Sequence, residues 1–181
     1  VGFDRDVAGL DTVAAEVHDT GGTMTTVTGD VSRRTDCVAA VDAAVTTHGR
    51  LDVLANIAGI SGRDPLMNIQ TSQTAGPRLA EQTLASWNQV MAVNATGVFL
   101  GTRGVIQPMQ AAGGGSIINI SSIAGLSGAA MAHSYGATKW AVRGMTKVAA
   151  MELGPDGIRV NSTHPGGIMT RMLSDAGLDG E

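Results

Sequence analysis

The chain has 181 residues, 43% of them hydrophobic, and this length and apolar content predict a single domain over residues 1–181. The formal charge of -4 at pH 7 provides no basic surface for nucleic acid or anionic membranes, so neither partner is expected. No apolar run reaches the roughly 18 residues of a membrane span, residues 1–6 lack a secretion signal, and the single cysteine excludes an intrachain disulfide; we expect a cytoplasmic protein.

Helices and short strands alternate along the first third of the chain. Residues 1–4 are typical of the end of a strand. Apolar residues over 7–17 recur with helical spacing until Gly21 and Gly22, and a β-branched run over 24–28 predicts a strand. A second helix is predicted over 38–45, where Gly49 ends it, and a strand follows over 51–55.

The same alternation continues to the end of the chain. Ser86 is predicted to cap a long helix that runs to about residue 110, before a glycine run and a strand over 116–121. A last helix over 134–153 precedes a strand over 158–162. Residues 60–83 form a polar connection longer than ordinary loops, which is either a substrate-side insertion or a disordered surface loop.

This alternation predicts a doubly wound α/β fold. Strands that are almost continuously apolar, joined by helical crossovers, indicate a parallel sheet with helices on both faces, the three-layer arrangement of Rossmann-type domains. Ligands of such sheets bind at the carboxyl ends of the strands. We therefore expect the chemistry directly after Asp4, Thr28, Ala55, Ile120 and Ser162.

Tyr135 and Lys139 form the most informative pair. They are four residues apart near the start of a predicted helix, so they share one face. A free phenol has a pKa near about 10, and a fixed ammonium lowers it by stabilising the phenolate. Alone, this spacing more often marks a partly buried ring beside a solvated charge. Ser122 follows a strand where ligands bind, although serine is also an ordinary turn residue.

With these residues in order, the chain resembles the classical short-chain dehydrogenase/reductase family. The resemblance spans nearly the whole chain, and residues 121–147 are particularly similar to bacterial hydroxysteroid dehydrogenases. It implies an NAD(P)-dependent oxidoreductase that interconverts a secondary alcohol and a ketone. The segments that carry it are Gly29-Asp30-Val31, Asn56-Ile57-Ala58-Gly59, Asn94, Ser122, Tyr135 with Lys139, and Pro165-Gly166.

The resemblance also implies catalytic roles. Tyr135 would be the general acid/base that exchanges a proton with the alcohol or carbonyl oxygen, and Ser122 would hydrogen-bond and orient that oxygen. Lys139 would lower the pKa of Tyr135 and bind the nicotinamide ribose. Asn94 would hold a water in a proton relay, although an asparagine that interrupts an apolar helix often bonds to backbone at a kink.

A nucleotide site follows from the same resemblance. Asp4 would accept hydrogen bonds from the adenosine ribose hydroxyls, which favours NAD. Arg5 could pair with the 2′-phosphate of NADP, but the Asp4 carboxylate would repel that phosphate, so NADP is the less favoured cofactor. Besides Tyr135 and Lys139, the other implied contacts are Asp30 and Val31 at the adenine, Asn56, Ala58 and Gly59 beneath the cofactor, and Pro165, Gly166, Ile168 and Thr170 at the nicotinamide.

The sequence departs from the family pattern in three places. It contains no Thr-Gly-x-x-x-Gly-x-Gly loop, since its glycine pairs and triplets close helices. We therefore expect the first strand-helix unit and the C-terminal segment beyond Thr170 to be missing. The chain is then either a fragment of a normal enzyme or a naturally truncated protein that no longer binds cofactor. Ile57 also replaces the second asparagine of the family's Asn-Asn-Ala-Gly.

Three functions are open at this point. The leading one is oxidation of an apolar alcohol, or reduction of its ketone, with Leu126, Met131 and His133 near the substrate. A 3-oxoacyl-thioester reductase would prefer NADPH, against which Asp4 counts. The third is a non-catalytic nucleotide-binding member of the fold, since fold does not fix function.

Two expectations concern other partners. The resemblance implies a homotetramer or homodimer that associates through the helices beginning near Ser86 and Ser134. No metal site is expected, because His18, His48, His133 and His164 lack the spacing of metal ligands.

Overall fold

A computed structural model of the chain describes residues 1–62, 78–170 and 172. These residues form five strands and five α-helices in alternating order, with α3 and α4 consecutive. The strands are β1 (Gly2–Asp4), β2 (Thr26–Thr28), β3 (Val53–Asn56), β4 (Gly115–Ile120) and β5 (Ile158–Thr163). The α-helices are α1 (Val7–Asp19), α2 (Arg34–His48), α3 (Leu84–Met91), α4 (Gly97–Ala111) and α5 (His133–Leu153).

All strand pairs are parallel, which confirms the predicted α/β fold. β1 pairs with β2, and β3, β4 and β5 form a second group in that order. Within the described residues no strand joins β1 to β3. In the classic order of doubly wound sheets the first strand lies between the second and the fourth. The separation of the two groups therefore agrees with the expected absence of a first strand-helix unit.

The element boundaries agree with the predictions to within a few residues, with one wrong assignment. Ser86 does not cap the third helix. The cap is Thr83, whose Oγ1 accepts a hydrogen bond from the backbone N–H of Ser86 at 3.1 Å, and Ser86 itself is buried. Threonine is a good helix cap, so the sequence offered two candidates three residues apart. Within the long polar connection, residues 63–77 lie outside the described residues, and neither interpretation of it is tested.

α3 and α4 are joined by one wide helical turn. Residues Ala92–Thr96 form a π-helix, so the polypeptide continues as a helix from α3 into α4. Such turns are rare and frequently occur at functional sites, because they redirect side chains and backbone carbonyls. This one contains Asn94, the residue to which the family resemblance assigns a proton-relay role.

The core lies where α4 and α5 pack against the three-stranded group. Its fully buried members include Val105 and Met109 of α4 and Ile117 of β4. Burial of apolar side chains of this size stabilises the fold by roughly 1.5–3 kcal/mol each. In the described residues, no helix is both long enough and apolar enough to cross a membrane.

A buried chain of polar side chains crosses the ends of β3 and β4. Nδ2 of Asn56 donates to Oδ1 of Asn119 at 2.8 Å and to Oγ1 of Thr102 at 3.3 Å. Nδ2 of Asn119 donates to Oγ1 of Thr146 at 2.9 Å. A Cβ at Gly101 would collide with the Asn56 amide oxygen, so glycine is required there. The network fixes both strand ends relative to α4 and α5.

Candidate active site

The turn that follows β4 presents a serine hydroxyl. Ser122 is extended (φ -171°, ψ 164°) and caps the short 3₁₀-helix Ile123–Gly125. Its Oγ accepts a hydrogen bond from the backbone N–H of Ala124 at 3.2 Å. Because a hydroxyl carries one hydrogen besides its lone pairs, Ser122 can still donate that hydrogen to a ligand. The turn therefore offers an oriented donor at the carboxyl end of the strand.

The same turn is fastened to α5. Oγ of Ser121 donates to the main-chain carbonyl of Lys139 at 2.9 Å. A Cβ at Gly125 would lie 2.6 Å from Ser121 Oγ and 2.7 Å from that carbonyl oxygen, distances that no side chain can tolerate. Gly125 is therefore what allows the turn and the helix to approach this closely.

The first turns of α5 bring Tyr135 and Lys139 together, as their spacing predicts. Lys139 Nζ lies 5.4 Å from the centre of the Tyr135 ring. The lysine side chain is 4% exposed, and its ammonium donates to the carbonyl oxygen of Ile120 at 2.8 Å. Tyr135 is half-buried.

Burial changes the acidity of Lys139. Desolvation disfavours the charged form and lowers the pKa of Lys139 from 10.5 to about 8. At neutral pH the ammonium is still the main form, but above pH 8 the amine becomes neutral. The Lys139 ammonium therefore loses its proton at a lower pH than the ammonium of a surface lysine does.

The side-chain amide of Asn94 makes three hydrogen bonds within the protein. Its Oδ1 accepts from the backbone N–H of Ile60 at 2.8 Å, and its Nδ2 donates to the Ile60 carbonyl at 2.8 Å and to Thr138 Oγ1 at 3.2 Å. These bonds to backbone at a helix irregularity agree with the structural interpretation of this asparagine given in the sequence analysis. Asn94 joins the connection after β3 to α5, and its Oδ1 keeps one lone pair that can accept from a water.

The residues assigned to the adenosine half of the cofactor line one cleft, at the carboxyl ends of β1, β2 and β3. Six of its lining residues are cofactor residues predicted from the sequence, and Gly29, beside Asp30, belongs to one of the motifs. Ile60 and Val93 are not among the predicted residues, because they are apolar neighbours of predicted residues and carry no polar signal. The lining residues are Asp4, Arg5, Gly29, Asp30, Val31, Ala58, Gly59, Ile60 and Val93.

Two carboxylates of this cleft are held by local hydrogen bonds. Asp30 Oδ1 accepts from the hydroxyl and the backbone N–H of Ser32 at 2.7 and 2.8 Å. These two bonds, and to a smaller extent the charges of Arg33 and Arg5, lower the pKa of Asp30. Asp4 Oδ1 accepts from the backbone N–H of Asp6 at 3.0 Å. The cleft therefore presents oriented carboxylate acceptors.

The other predicted cofactor residues lie outside this cleft. The amide nitrogen of Asn56 bonds to Thr102 and Asn119 in the interior. Pro165, Gly166, Ile168 and Thr170 follow β5, and the carbonyl of Pro165 accepts from the backbone N–H of Ile123 at 3.0 Å, which brings Pro165 beside the Ser122 turn.

The expected substrate side contains a strained residue. Met131 has a φ of 59° and is the only non-glycine residue with positive φ among the described residues. This left-handed conformation costs an ordinary residue about 1–2 kcal/mol. Met131 lies two residues before His133, the first residue of α5, and Leu126, which follows the Ser122 turn, is 46% exposed. The strain therefore lies close in sequence to Tyr135.

The geometry fits a ribose-bearing nucleotide. Asp4 and Asp30 supply carboxylate acceptors to the cleft, and Gly59 of its lining lies beside Lys139. A Cβ at Gly59 would lie 3.4 Å from Asn94 Oδ1 and 3.7 Å from Lys139 Nζ, so its absence keeps open the space beside the ammonium. In contrast, no cluster of His, Cys, Asp or Glu among the described residues could hold a metal ion.

Comparison with known families decides the classification. Residues 1–179 match the family model of the short chain dehydrogenases. The chain belongs to the short-chain dehydrogenase family. This membership confirms the resemblance carried by the motifs around Ser122 and Tyr135, and it accounts for the parallel sheet with ligand-lining residues at its strand ends.

Two relatives of this short-chain dehydrogenase are named as dehydrogenases of a hydroxysteroid and of cyclopentanol. The 3-alpha-(or 20-beta)-hydroxysteroid dehydrogenase of Mycobacterium tuberculosis is 52% identical over 143 residues, which cover 79% of this chain and 50% of the relative. The cyclopentanol dehydrogenase of Comamonas testosteroni is 40% identical over 165 residues, covering 90% of the chain and 61% of the relative. The chain thus spans about half the length of its mycobacterial relative.

A solved structure supports the same classification. The NAD⁺-bound xylitol dehydrogenase superposes with a TM-score of 0.80 and 29% sequence identity, over 91% of this chain and 58% of that chain. Both the sequence and the fold therefore link this chain to alcohol dehydrogenases of one family.

Proposed function

We propose that the protein interconverts a secondary alcohol and a ketone by hydride transfer to or from a nicotinamide nucleotide. The observation that carries this proposal is the arrangement at the end of β4. The buried Lys139 ammonium lies 5.4 Å from the Tyr135 ring, and the Ser122 turn is fastened to the same helix through Ser121. A phenol, a cation and a hydroxyl donor are the groups that such a reaction requires.

In the oxidation direction, the proton of the alcohol passes to the deprotonated oxygen of Tyr135. The Ser122 hydroxyl donates a hydrogen bond to the same alcohol oxygen and fixes its orientation. The Lys139 ammonium stabilises the phenolate, since an opposite charge favours the ionised form. The nucleotide, when bound, supplies the hydride acceptor, so the carbinol carbon loses two electrons and becomes a carbonyl. Reduction follows the same steps in reverse.

Asn94 supports this centre indirectly. Its three hydrogen bonds join Ile60 to Thr138, and Thr138 precedes Lys139 on α5. We assign it the role of holding the connection after β3 against the catalytic helix. The free lone pair of its Oδ1 can accept from the water of a proton relay.

For the substrate, we propose an apolar alicyclic alcohol. The relatives named above act on hydroxysteroids and cyclopentanol, and the exposed side chains of Leu126 and Ile168 provide apolar surface on either side of the catalytic turn. The direct test is NADH formation by the full-length protein with cyclopentanol and with a 3α-hydroxysteroid. Turnover of a 3-oxoacyl thioester with NADPH, and of neither alcohol, would contradict this assignment.

We propose NAD as the preferred nucleotide, because Asp4 presents a carboxylate at the cleft where a 2′-phosphate would be repelled. In the Asp4→Ser variant we expect the KM for NAD to rise about tenfold, since a hydrogen bond to a charged group is worth about 1.5–3 kcal/mol, and the KM for NADP to fall. Asp11→Ser, at an exposed position on α1, is the control. A wild-type KM that is lower for NADP than for NAD would reject the proposal.

We also propose self-association as a homodimer or homotetramer through α4 and α5. Exposed apolar side chains occur on both helices: Phe99 is 50% exposed, Trp140 48% and Met151 83%. We expect light scattering to give a multiple of the chain mass, and Met151→Glu to lower that mass, because a charge would be buried in the interface. Val13→Glu, on the exposed surface of α1, should leave the mass unchanged. A monomeric wild type would refute the proposal.

For the cellular location, we propose the cytoplasm. The single cysteine of the sequence, Cys37, is a buried free thiol, which agrees with a reducing compartment.

A further inference from the structure

The end of β5 holds the catalytic turn on both sides of Ser122. Two backbone hydrogen bonds pair the residues before and after this serine with the β5 segment. They run from Ser121 N to Thr163 O at 2.9 Å and from Ile123 N to Pro165 O at 3.0 Å. Between these bonds, Nδ1 of His164 lies 3.2 Å from the carbonyl oxygen of Ser122. A side chain therefore contacts the main chain of the reactive serine itself.

Pro165 removes one backbone donor beside this turn. In the parallel register the N–H of residue 165 would donate to the carbonyl of Ser121, and proline has no N–H, although the Pro165 carbonyl still accepts from Ile123. The next carbonyl along the turn, that of Ser122, has a side-chain donor in the imidazole of His164.

The hydrogen-bond partners define the form of the ring. A carbonyl oxygen can only accept, so Nδ1 of His164 must carry the hydrogen. Nε2 lies 3.1 Å from Ser162 Oγ. The Ser162 hydroxyl donates to Nε2 when the ring is neutral and accepts from the Nε2 hydrogen when the ring is charged. Ser162 therefore fixes the ring in its contact with Ser122 in either protonation state of the imidazole.

From these contacts we propose that His164 is a positioning residue, whose imidazole holds the main chain of Ser122 so that the Ser122 hydroxyl is aimed at the reacting oxygen. The backbone N–H of Gly125 donates to the same carbonyl at 2.8 Å, so two donors from opposite sides fix this peptide. Loss of the His164 donor leaves the Ser122 carbonyl with the Gly125 donor alone, so the extended serine can rotate. The inference rests on the proposed function of Ser122.

Two substitutions of His164 distinguish the roles of its two ring nitrogens. The amide nitrogen of asparagine occupies nearly the position of histidine Nδ1 and can still donate to Ser122. The amide nitrogen of glutamine corresponds to histidine Nε2 and reaches Ser162 instead. We expect His164→Gln to lower kcat about tenfold, as a lost hydrogen bond or a misplaced reacting group does, while His164→Asn stays within about threefold of wild type.

The nucleotide dissociation constant distinguishes a positioning role of His164 from a general loss of structure at the end of β5. It should change by less than about twofold in both variants, because a lost positioning bond acts on kcat, whereas a disordered β5 end would weaken nucleotide binding as well. His48→Gln, at an exposed position at the end of α2, is the control and should match wild type. Equal kcat values for the Asn and Gln variants, or a Gln variant with wild-type kcat, would overturn the proposal.

A second readout does not depend on turnover. Amide hydrogen exchange at Ile123, Ala124 and Gly125 should accelerate in His164→Gln and not in His164→Asn, because these amides belong to the turn that His164 holds. If the wild type turned over no alcohol, the proposed function would fail, and the exchange pattern would still decide on the positioning role. Unchanged exchange in the Gln variant would overturn it.

Discussion

Replacing Tyr135 with Phe is expected to lower kcat for alcohol oxidation by about 10²–10⁴-fold, the usual contribution of a positioned general acid/base. The substitution removes only the phenol oxygen and keeps the ring that lies 5.4 Å from Lys139 Nζ. The fold and the nucleotide affinity should therefore be nearly unchanged. Steady-state rates with saturating NAD and alcohol measure the effect.

The control for this variant is binding. Nucleotide titration of Tyr135→Phe should give a dissociation constant within about twofold of wild type, since a hydroxyl that acts on the substrate contributes little to cofactor affinity. A parallel Thr47→Ala variant, at an exposed position on α2, should keep wild-type kcat. Retention of wild-type kcat by Tyr135→Phe would reject the assignment of the general base.

Replacing Lys139 with Met should have two opposite effects. We expect kcat to fall by at least about 100-fold, because the cation that stabilises the phenolate is lost. At pH 7 we also expect the free energy of unfolding to rise by about 2 kcal/mol. Burial lowers the pKa of this lysine from 10.5 to about 8, so the folded protein carries a cation in an unfavourable environment, and the lost bond to Ile120 offsets only part of the gain.

The stability difference has a defined pH dependence. The folded-state pKa of Lys139 is below its unfolded value, so the folded protein binds fewer protons between about pH 8 and 10.5, and wild-type stability rises with pH in that window. The advantage of Lys139→Met should therefore shrink above pH 8. Denaturant unfolding at pH 7 and 9.5 measures it, with Lys147→Met, an exposed lysine of the same helix, as control. A less stable Met variant at pH 7, or a constant difference, would contradict the account.

The fold could be predicted from the sequence because its signals are local. Apolar periodicity and the glycines that end helices, such as Gly49 with its positive φ of 75°, mark each change from helix to strand. The spacing of Tyr135 and Lys139 sets their common helix face in the same way. The N-cap of α3 was misassigned because Thr83 and Ser86 have equivalent capping chemistry and differ only in tertiary position.

The parts that the sequence could not provide depend on contacts between distant residues. Asn119 in an apolar run predicts a buried strand, but its partners Asn56 and Thr146 are 63 and 27 residues away. The three hydrogen bonds of the Asn94 amide to Ile60 and Thr138 depend on the packing of a π-helical turn that no local pattern predicts. His164 was considered only as a metal ligand, and its contact with Ser122 depends on the register of β4 and β5.

Hydride transfer between an alcohol carbon and a nicotinamide nucleotide is the reaction proposed for Ser122, Tyr135 and Lys139. Oxidation of cyclopentanol that carries deuterium on the carbinol carbon, followed by mass spectrometry of the reduced nucleotide, tests it. We expect one deuterium in each NADH formed by the wild type, and slower formation in the Tyr135→Phe variant. Reduced nucleotide without deuterium, or ketone formed without reduction of NAD, would contradict it.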